Sequence, residues 1–169
     1  MASGRVYALL IASSARQVVF ERFYDNFSEP EKAEIRSAFD QVASEGRGAI
    51  EAVGRYKNGK IVMMREGDVL FFALGTGEYN ELALGELLRL LIVAYKDIFR
   101  STLTDTVLLQ NFGQTALVVD ELCKEGLVDL TDSQSIQKAI ALRLPTDGGT
   151  APSSKVLTRL FSAAPGSAS

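Results

Sequence analysis

The stretch GEYNELALGELLRLLIVAYKDIFR, residues 77–100, limits what this chain can become more than any other. Leu82, Leu87, Leu88, Leu90, Leu91, Ile92, Ala94, Tyr95, Ile98 and Phe99 cover most of a helical circumference. Glu86, Arg89, Lys96, Asp97 and Arg100 recur at helical spacing and leave one narrow polar stripe. A helix apolar on nearly all sides must be enclosed by protein or cross a membrane. A span needs about 20 largely uncharged residues, and the charges here interrupt the run too often. The stretch therefore reads as a buried helix with a sheet on one side. Its other side belongs either to the rest of this chain or to another chain.

The flanking segments supply the sheet. Residues 6–12 are a continuous apolar run, the pattern of a strand covered on both faces. Ser13 to Arg16 reads as a turn, and residues 17–24 return as a second strand whose charges, Glu21 and Arg22, suit a sheet edge. Ser28, Pro30 and Glu31 open a helix with a capping box, and Ala33, Ile35, Ala38, Phe39 and Val42 form its apolar face. Gly46 and Gly48 end it. Residues 49–56, 60–65 and 69–74 read as three strands. Asn58-Gly59 marks the first hairpin, because such turns demand positive φ. Glu66-Gly67-Asp68 marks the second. The run at 69–74 is again wholly apolar and is expected at the centre, beside the first strand.

Beyond the long helix, Thr104 or Thr106 caps a further helical region. Leu108, Phe112, Ala116, Val119, Leu122 and Cys123 share one face of it, with Gly126 as a plausible C′ residue. Asp132 or Ser133 caps a shorter helix with Ile136 and Ile140 inward. The expected fold class is α+β: a five-stranded antiparallel sheet, one helix on one face and two or three on the other. The domain is expected over residues 1–143. Residues 144–169 read as a flexible tail carrying a short amphipathic helix at 154–161.

Composition removes several function classes. The net charge of −3 and pI near 5.1 argue against a general nucleic-acid binder. A single cysteine, Cys123, excludes an internal disulfide and fits a reducing compartment. The first residues, MASGRVYALLIASS, read as a strand and not as a signal peptide. The expected location is the cytosol.

The chain has no histidine, which removes the commonest general base and metal ligand. Cys123 lacks a histidine partner and falls on an inward helical position. Asp120 and Glu121 diverge by about 100° around a helix and converge on no site. A solvated surface or one ion pair explains them better. Gly75-Thr76-Gly77 lies between a strand and a helix but lacks the third glycine and lysine of a phosphate loop. Neither a catalytic residue nor a cofactor or metal site is expected. Arg55, Lys57, Lys60 and Arg65 surround the Asn58-Gly59 hairpin. They read either as edge protection or as a small patch for acidic lipid headgroups or an acidic partner. Surplus apolar surface on a domain without catalytic chemistry marks a protein interface. Tyr79, Ile92, Ile98, Phe99, Leu103 and Leu109 are its expected members.

Several local strings fit this reading. They are Val19-Phe-Glu-Arg-Phe-Tyr-Asp25 in the second strand, Asn80-Glu81-Leu82-Ala83 opening the long helix, and Val118-Val119-Asp120-Glu121-Leu122 followed by Gly126. On these the chain resembles the small subunits of vesicle coats, the sigma chains of clathrin adaptors and the zeta chain of coatomer, over about residues 6–143. Glu78-Tyr79-Asn80-Glu81-Leu82-Ala83-Leu84, Phe20-Glu21-Arg22-Phe23 and Leu142-Arg143-Leu144-Pro145-Thr146 are most similar to the small subunit of the TSET, or plant TPLATE, complex.

The resemblance implies a longin-type fold and a structural subunit that is not an enzyme. It implies a large solenoid subunit and a medium, mu-like subunit as partners, in a heterotetrameric core. It also implies peripheral recruitment to coated pits in clathrin-mediated endocytosis, with no nucleic acid and no small-molecule substrate. Coatomer zeta, at Golgi vesicles, is the alternative, followed by another longin-type trafficking regulator. Sigma chains bind acidic dileucine signals through a basic residue on the second strand. Val19 stands at that position, so cargo binding is not carried over. An isolated chain is expected to be poorly soluble without a large subunit.

Overall fold

Alternation along the central strands sorts their side chains onto two cores. In the computed structural model, which describes residues 4–128, 134–136 and 138, the chain begins with β1 (Val6–Ser13), β2 (Val18–Phe23) and α1 (Glu29–Glu45). Next come β3 (Glu51–Tyr56), β4 (Gly59–Glu66), β5 (Val69–Gly75) and α2 (Glu81–Phe99). Last are α3 (Asp105–Gln110), α4 (Phe112–Leu122) and a small hairpin, β6 (Cys123–Lys124) with β7 (Leu127–Val128). The five longer strands form one antiparallel sheet in the order β2-β1-β5-β4-β3. As expected, β5 is central beside β1, and β2 lies at an edge.

On one face Ala8, Leu10, Ile61, Met63, Leu70, Phe72 and Leu74 meet Ile35, Phe39 and Val42 of α1. Phe39 stacks on Phe72, with ring centres 5.2 Å apart. On the other face Leu9, Ile11, Val62, Met64, Val69, Phe71 and Ala73 meet α2 and the helices beyond it. Successive strand residues point to opposite faces, so an unbroken apolar run serves two cores at once.

The α1 cap forms as the spacing predicts. The Glu31 N–H donates to Ser28 Oγ at 3.4 Å, and the Ser28 N–H donates to Glu31 Oε2 at 2.8 Å. The long helix begins at Glu81, just ahead of its apolar run, and is capped by Asn80, whose side chain accepts from the N–H groups of Leu82 and Ala83. Glu86, Arg89, Lys96, Asp97 and Arg100 are exposed, as the polar stripe requires. α2 packs on β4 and β5 below and on α4 above. The Tyr95 hydroxyl donates to the Thr115 carbonyl at 2.7 Å, joining α2 to α4 inside the core.

Three local expectations are corrected. The β3–β4 turn is Lys57-Asn58, since Tyr56 already pairs with Gly59. Lys57, not Asn58, takes positive φ, at 53°. Gly59 is needed for space: a Cβ there would lie 2.7 Å from Leu74 and 3.3 Å from the Gly75 carbonyl. The helical region after Thr104 breaks at Asn111, which has φ −116° and ψ 41°, and this turns Phe112 outward. Gly126 closes no helix. With Glu125 it makes the β6–β7 turn, where both have positive φ, as such two-residue turns require. Ile136 is helical and buried. Asp132, Ser133, Ile140 and residues 139–169 lie outside the described residues.

Candidate interaction surfaces

The enclosure that α2 demands is supplied by its own chain. Ile92, Ile98 and Leu103, expected at a partner interface, are buried in the core around α2. This corrects their assignment, because their apolar area is already covered from within. Tyr79 and Phe99 are half-buried. The Tyr79 hydroxyl accepts from the Val128 N–H at 3.0 Å, which fastens β7 to the start of α2. Phe99 stacks on Tyr95 with ring centres 5.8 Å apart and planes 12° from parallel. Of the six residues, Leu109 alone is exposed.

Apolar surface remains elsewhere. Val53, in β3, pairs with Val62 of the α2-side core, so it faces the α2 side of the sheet. It is 56% exposed, and Ile50 just before β3 is 76% exposed. Leu82, in the first turn of α2, is 81% exposed, and Val93 further along the helix is also exposed. Ion pairs border this area: Arg89 reaches Glu51 at 3.4 Å and Glu86 at 3.7 Å, and Lys60 reaches Glu81 at 3.6 Å. β3 is the terminal strand of its sheet, so its outer backbone edge has no strand partner among the described residues. A second, smaller apolar area is formed by Leu109 and Phe112 at the α3–α4 junction, where Phe112 lies 5.8 Å from the Phe20 ring.

The signal for Val53 was in the sequence. β3 alternates Glu51, Val53 and Arg55 on one face with Ala52, Gly54 and Tyr56 on the other. Gly54 leaves room for Val42 of α1: a Cβ there would lie 2.4 Å from that side chain. An edge strand with its second face uncovered exposes its odd-numbered members.

The four basic residues of the hairpin reading do not form one patch. Arg55 and Lys60 are a cross-strand pair. Glu81 answers them, and its carboxyl is held below the usual range, first by a backbone hydrogen bond and then by Lys60 and Arg55. Lys57 lies over the Tyr56 ring, 5.2 Å from its centre, and 4.0 Å from Glu34. Arg65 sits at the far end of β4, its Nε turned to the Ala49 carbonyl at 3.4 Å.

The residues weighed for chemistry are occupied structurally. Cys123 is buried, and burial pushes its thiol up to about 11, so it stays protonated and unreactive near neutrality. Asp120 pairs with Arg22 at 3.1 Å. In the turn before α2, the Thr76 N–H is bonded to the Arg5 carbonyl at 3.0 Å and the Tyr79 N–H to the Thr76 carbonyl at 3.1 Å. Those amides are taken, so the turn offers no phosphate cradle. Among the described residues no group of three or more metal-ligating side chains occurs, and no helix is long and apolar enough to cross a membrane.

Comparison with known proteins agrees with this architecture. The sequence matches the family described as "Clathrin adaptor complex small chain" over residues 5–145. "TSET complex member tstD" of Dictyostelium discoideum is 24% identical over 143 residues, 82% of this chain and 93% of that protein. "Coatomer subunit zeta-1" of Homo sapiens is 24% identical over 138 residues, 82% of this chain and 77% of that one. A chain of the "Homology model of the full-length AP-3 complex in a stretched open conformation" shares the fold, with TM-score 0.59 at 15% identity, covering 80% of this chain and 90% of that one. The fold is therefore the longin-type fold of adaptor small subunits, with helices on both faces of a five-stranded sheet. The family match runs from the residue before β1 past α4, so this chain belongs to the clathrin adaptor complex small chain family.

Proposed function

We propose that this chain is the structural small subunit of a heterotetrameric adaptor-like coat complex of the TSET, or TPLATE, type, working in clathrin-mediated endocytosis. It packs against a large solenoid subunit beside a medium, mu-like subunit, and reaches the plasma membrane peripherally through that complex. It has no catalytic role. The observation that carries the reading is the alignment with a TSET complex member, which extends over 93% of that protein. The exposed apolar residues along β3 and α2, bordered by ion pairs, support it. An apolar centre with a charged rim is the usual make-up of a protein interface.

Affinity purification of the tagged full chain, with identification of co-purifying proteins, tests it. Large and medium adaptor-like chains are expected in the eluate. A monomer that recovers no large chain refutes it. Coatomer zeta-1, also 24% identical but aligned over 77% of that protein, favours a second reading as a Golgi coat subunit. Imaging the tagged chain separates the two: plasma-membrane foci support the first, a Golgi pattern the second.

A further inference from the structure

At the end of the sheet away from the β3–β4 hairpin, a depression of about 680 Å³ opens between the β1–β2 turn, the end of α1 and the facing ends of β4 and β5. Its charged lining residues are Arg16, Arg47 and Arg65, and no carboxylate lines it. The contrast with the depression of about 690 Å³ beside Tyr24 is direct: there Arg5, Arg22 and Lys124 share the wall with Asp25, Asp120 and Glu125. Three positive charges around one opening are conspicuous on a chain whose net charge is −3.

The arginines are unequally occupied. Arg16 donates to the Asp40 carboxylate at 2.6 Å, the Asp40 carbonyl at 3.1 Å and Ser44 Oγ at 2.7 Å, so part of its charge serves the last turns of α1. Half-buried Arg65 reaches only the Ala49 carbonyl, at 3.4 Å, and Arg47 has no partner among the described residues. Two guanidinium groups thus meet no anion among the described residues. Arg16 lies in the β1–β2 turn with φ +67°, as Lys57 and Glu125 have positive φ in their own turns. Gly48, on the rim, has open space where a side chain would stand. The volume lies within the range of small-ligand pockets, roughly 300–1,000 Å³.

We propose that this depression binds a multiply phosphorylated anion of inositol-phosphate size. The planar fork of each guanidinium matches phosphate oxygens two at a time. One free guanidinium, a second held only through its Nε by the Ala49 carbonyl, and a third partly shared with Asp40 call for more than one negative group. Such a ligand has two sources, a soluble inositol phosphate and the headgroup of a phosphorylated inositol lipid. The proposal is independent of which coat the chain serves.

The test uses the full chain. Soluble inositol 1,4,5-trisphosphate is titrated by calorimetry. In parallel, flotation is measured on phosphatidylcholine vesicles carrying phosphatidylinositol 4,5-bisphosphate, and on phosphatidylserine vesicles of equal surface charge. Saturable binding is expected in at least one arm. Arg47→Gln should weaken it severalfold, and Arg47→Gln with Arg65→Gln by roughly tenfold or more. Lys57→Gln, on the distant hairpin, should leave it unchanged. Binding of the soluble probe alone assigns a soluble ligand, and binding of the inositol-lipid vesicles assigns the headgroup. Arg47 is exposed and makes no hydrogen bond or ion pair among the described residues, so its single variant tests the site even where the double variant folds poorly. No saturable binding in either arm, equal binding by the Arg47 variant, or equal flotation on phosphatidylserine vesicles overturns the proposal.

Discussion

Tyr95 gives the sharpest test of how this fold is held together, because it is fully enclosed and carries the hydroxyl that joins α2 to α4. Its ring lies 6.3 Å from Phe71 in the sheet and 5.8 Å from Phe99 in its own helix. Tyr95→Phe removes only the 2.7 Å bond to the Thr115 carbonyl and should cost about 0.5–1.5 kcal/mol. Tyr95→Ala also empties the ring's volume and should cost about 3–5 kcal/mol. The difference between the two variants isolates the ring. Urea unfolding at pH 7 measures both. The same residue predicts an alkaline signature. Burial raises the Tyr95 hydroxyl well above its ordinary 10.0. The unfolded chain therefore releases that proton near pH 10 while the folded chain keeps it. The stabilisation is complete below pH 10 and is lost as pH rises above it, by about 1.4 kcal/mol per pH unit for each such proton. Half-buried Tyr24, whose hydroxyl is enclosed, adds a second proton of the same sign, again chiefly through burial. Tyr95→Phe should therefore flatten the decline above pH 10 by about one proton. An unchanged alkaline slope, or an alanine variant costing less than about 1 kcal/mol, refutes the picture of a dry, bonded Tyr95.

Arg100 ends α2 in the left-handed conformation, with φ 49°, so Arg100→Gly should raise stability by up to about 1 kcal/mol in the same unfolding assay. Gly126→Ala should lower it by more than about 1 kcal/mol, since φ is +82° and the new Cβ would stand 2.5 Å from the Val6 carbonyl. Val53→Glu sits on an exposed edge and should change stability by less than about 0.5 kcal/mol. If β3 faces the partner, it should nonetheless cut co-purification of the large chain about tenfold, while Val18→Glu on β2, at the opposite edge of the sheet, should not.

The sheet was legible because its signals are local. Residues 6–12 and 69–74 are apolar without interruption, and only a strand between two covered faces uses every residue of such a run. The Ser28–Glu31 cap and the Asn80 strings were equally direct. What escaped were features decided by long-range packing. Asn58-Gly59 has the composition of a turn, but Gly59 is spent against Leu74 and the turn moves back one residue onto Lys57. The break at Asn111 leaves no mark in the periodicity from Leu108 to Cys123, because a bend and a straight helix of this length place nearly the same residues inward. Arg16, Arg47 and Arg65 are far apart in sequence, and only the approach of the β1–β2 turn to the ends of α1 and β4 brings them together. Val53 was readable from its alternation, but its exposure depends on β3 being an edge.

The position of the uncovered apolar surface changes the physical basis of the partnership. Ile92, Ile98 and Leu103 appear surplus when α2 is drawn against the sheet alone. With α4 laid over its outer side they become core, buried to at least nine-tenths. The helix therefore needs no second chain in order to exist. That removes the reason to expect an isolated chain to collapse around an open core. What a partner can still gain is at the rim: the exposed side of β3 with Ile50 and Val53, and Leu82 beside it. Burial there is worth about 25 cal/mol per Å² before the costs of association. An interface of this kind selects a register through an edge strand and its bordering ion pairs, instead of completing an unfinished fold. On this geometry the proposed docking joins a chain whose core is already closed around α2 by its own residues.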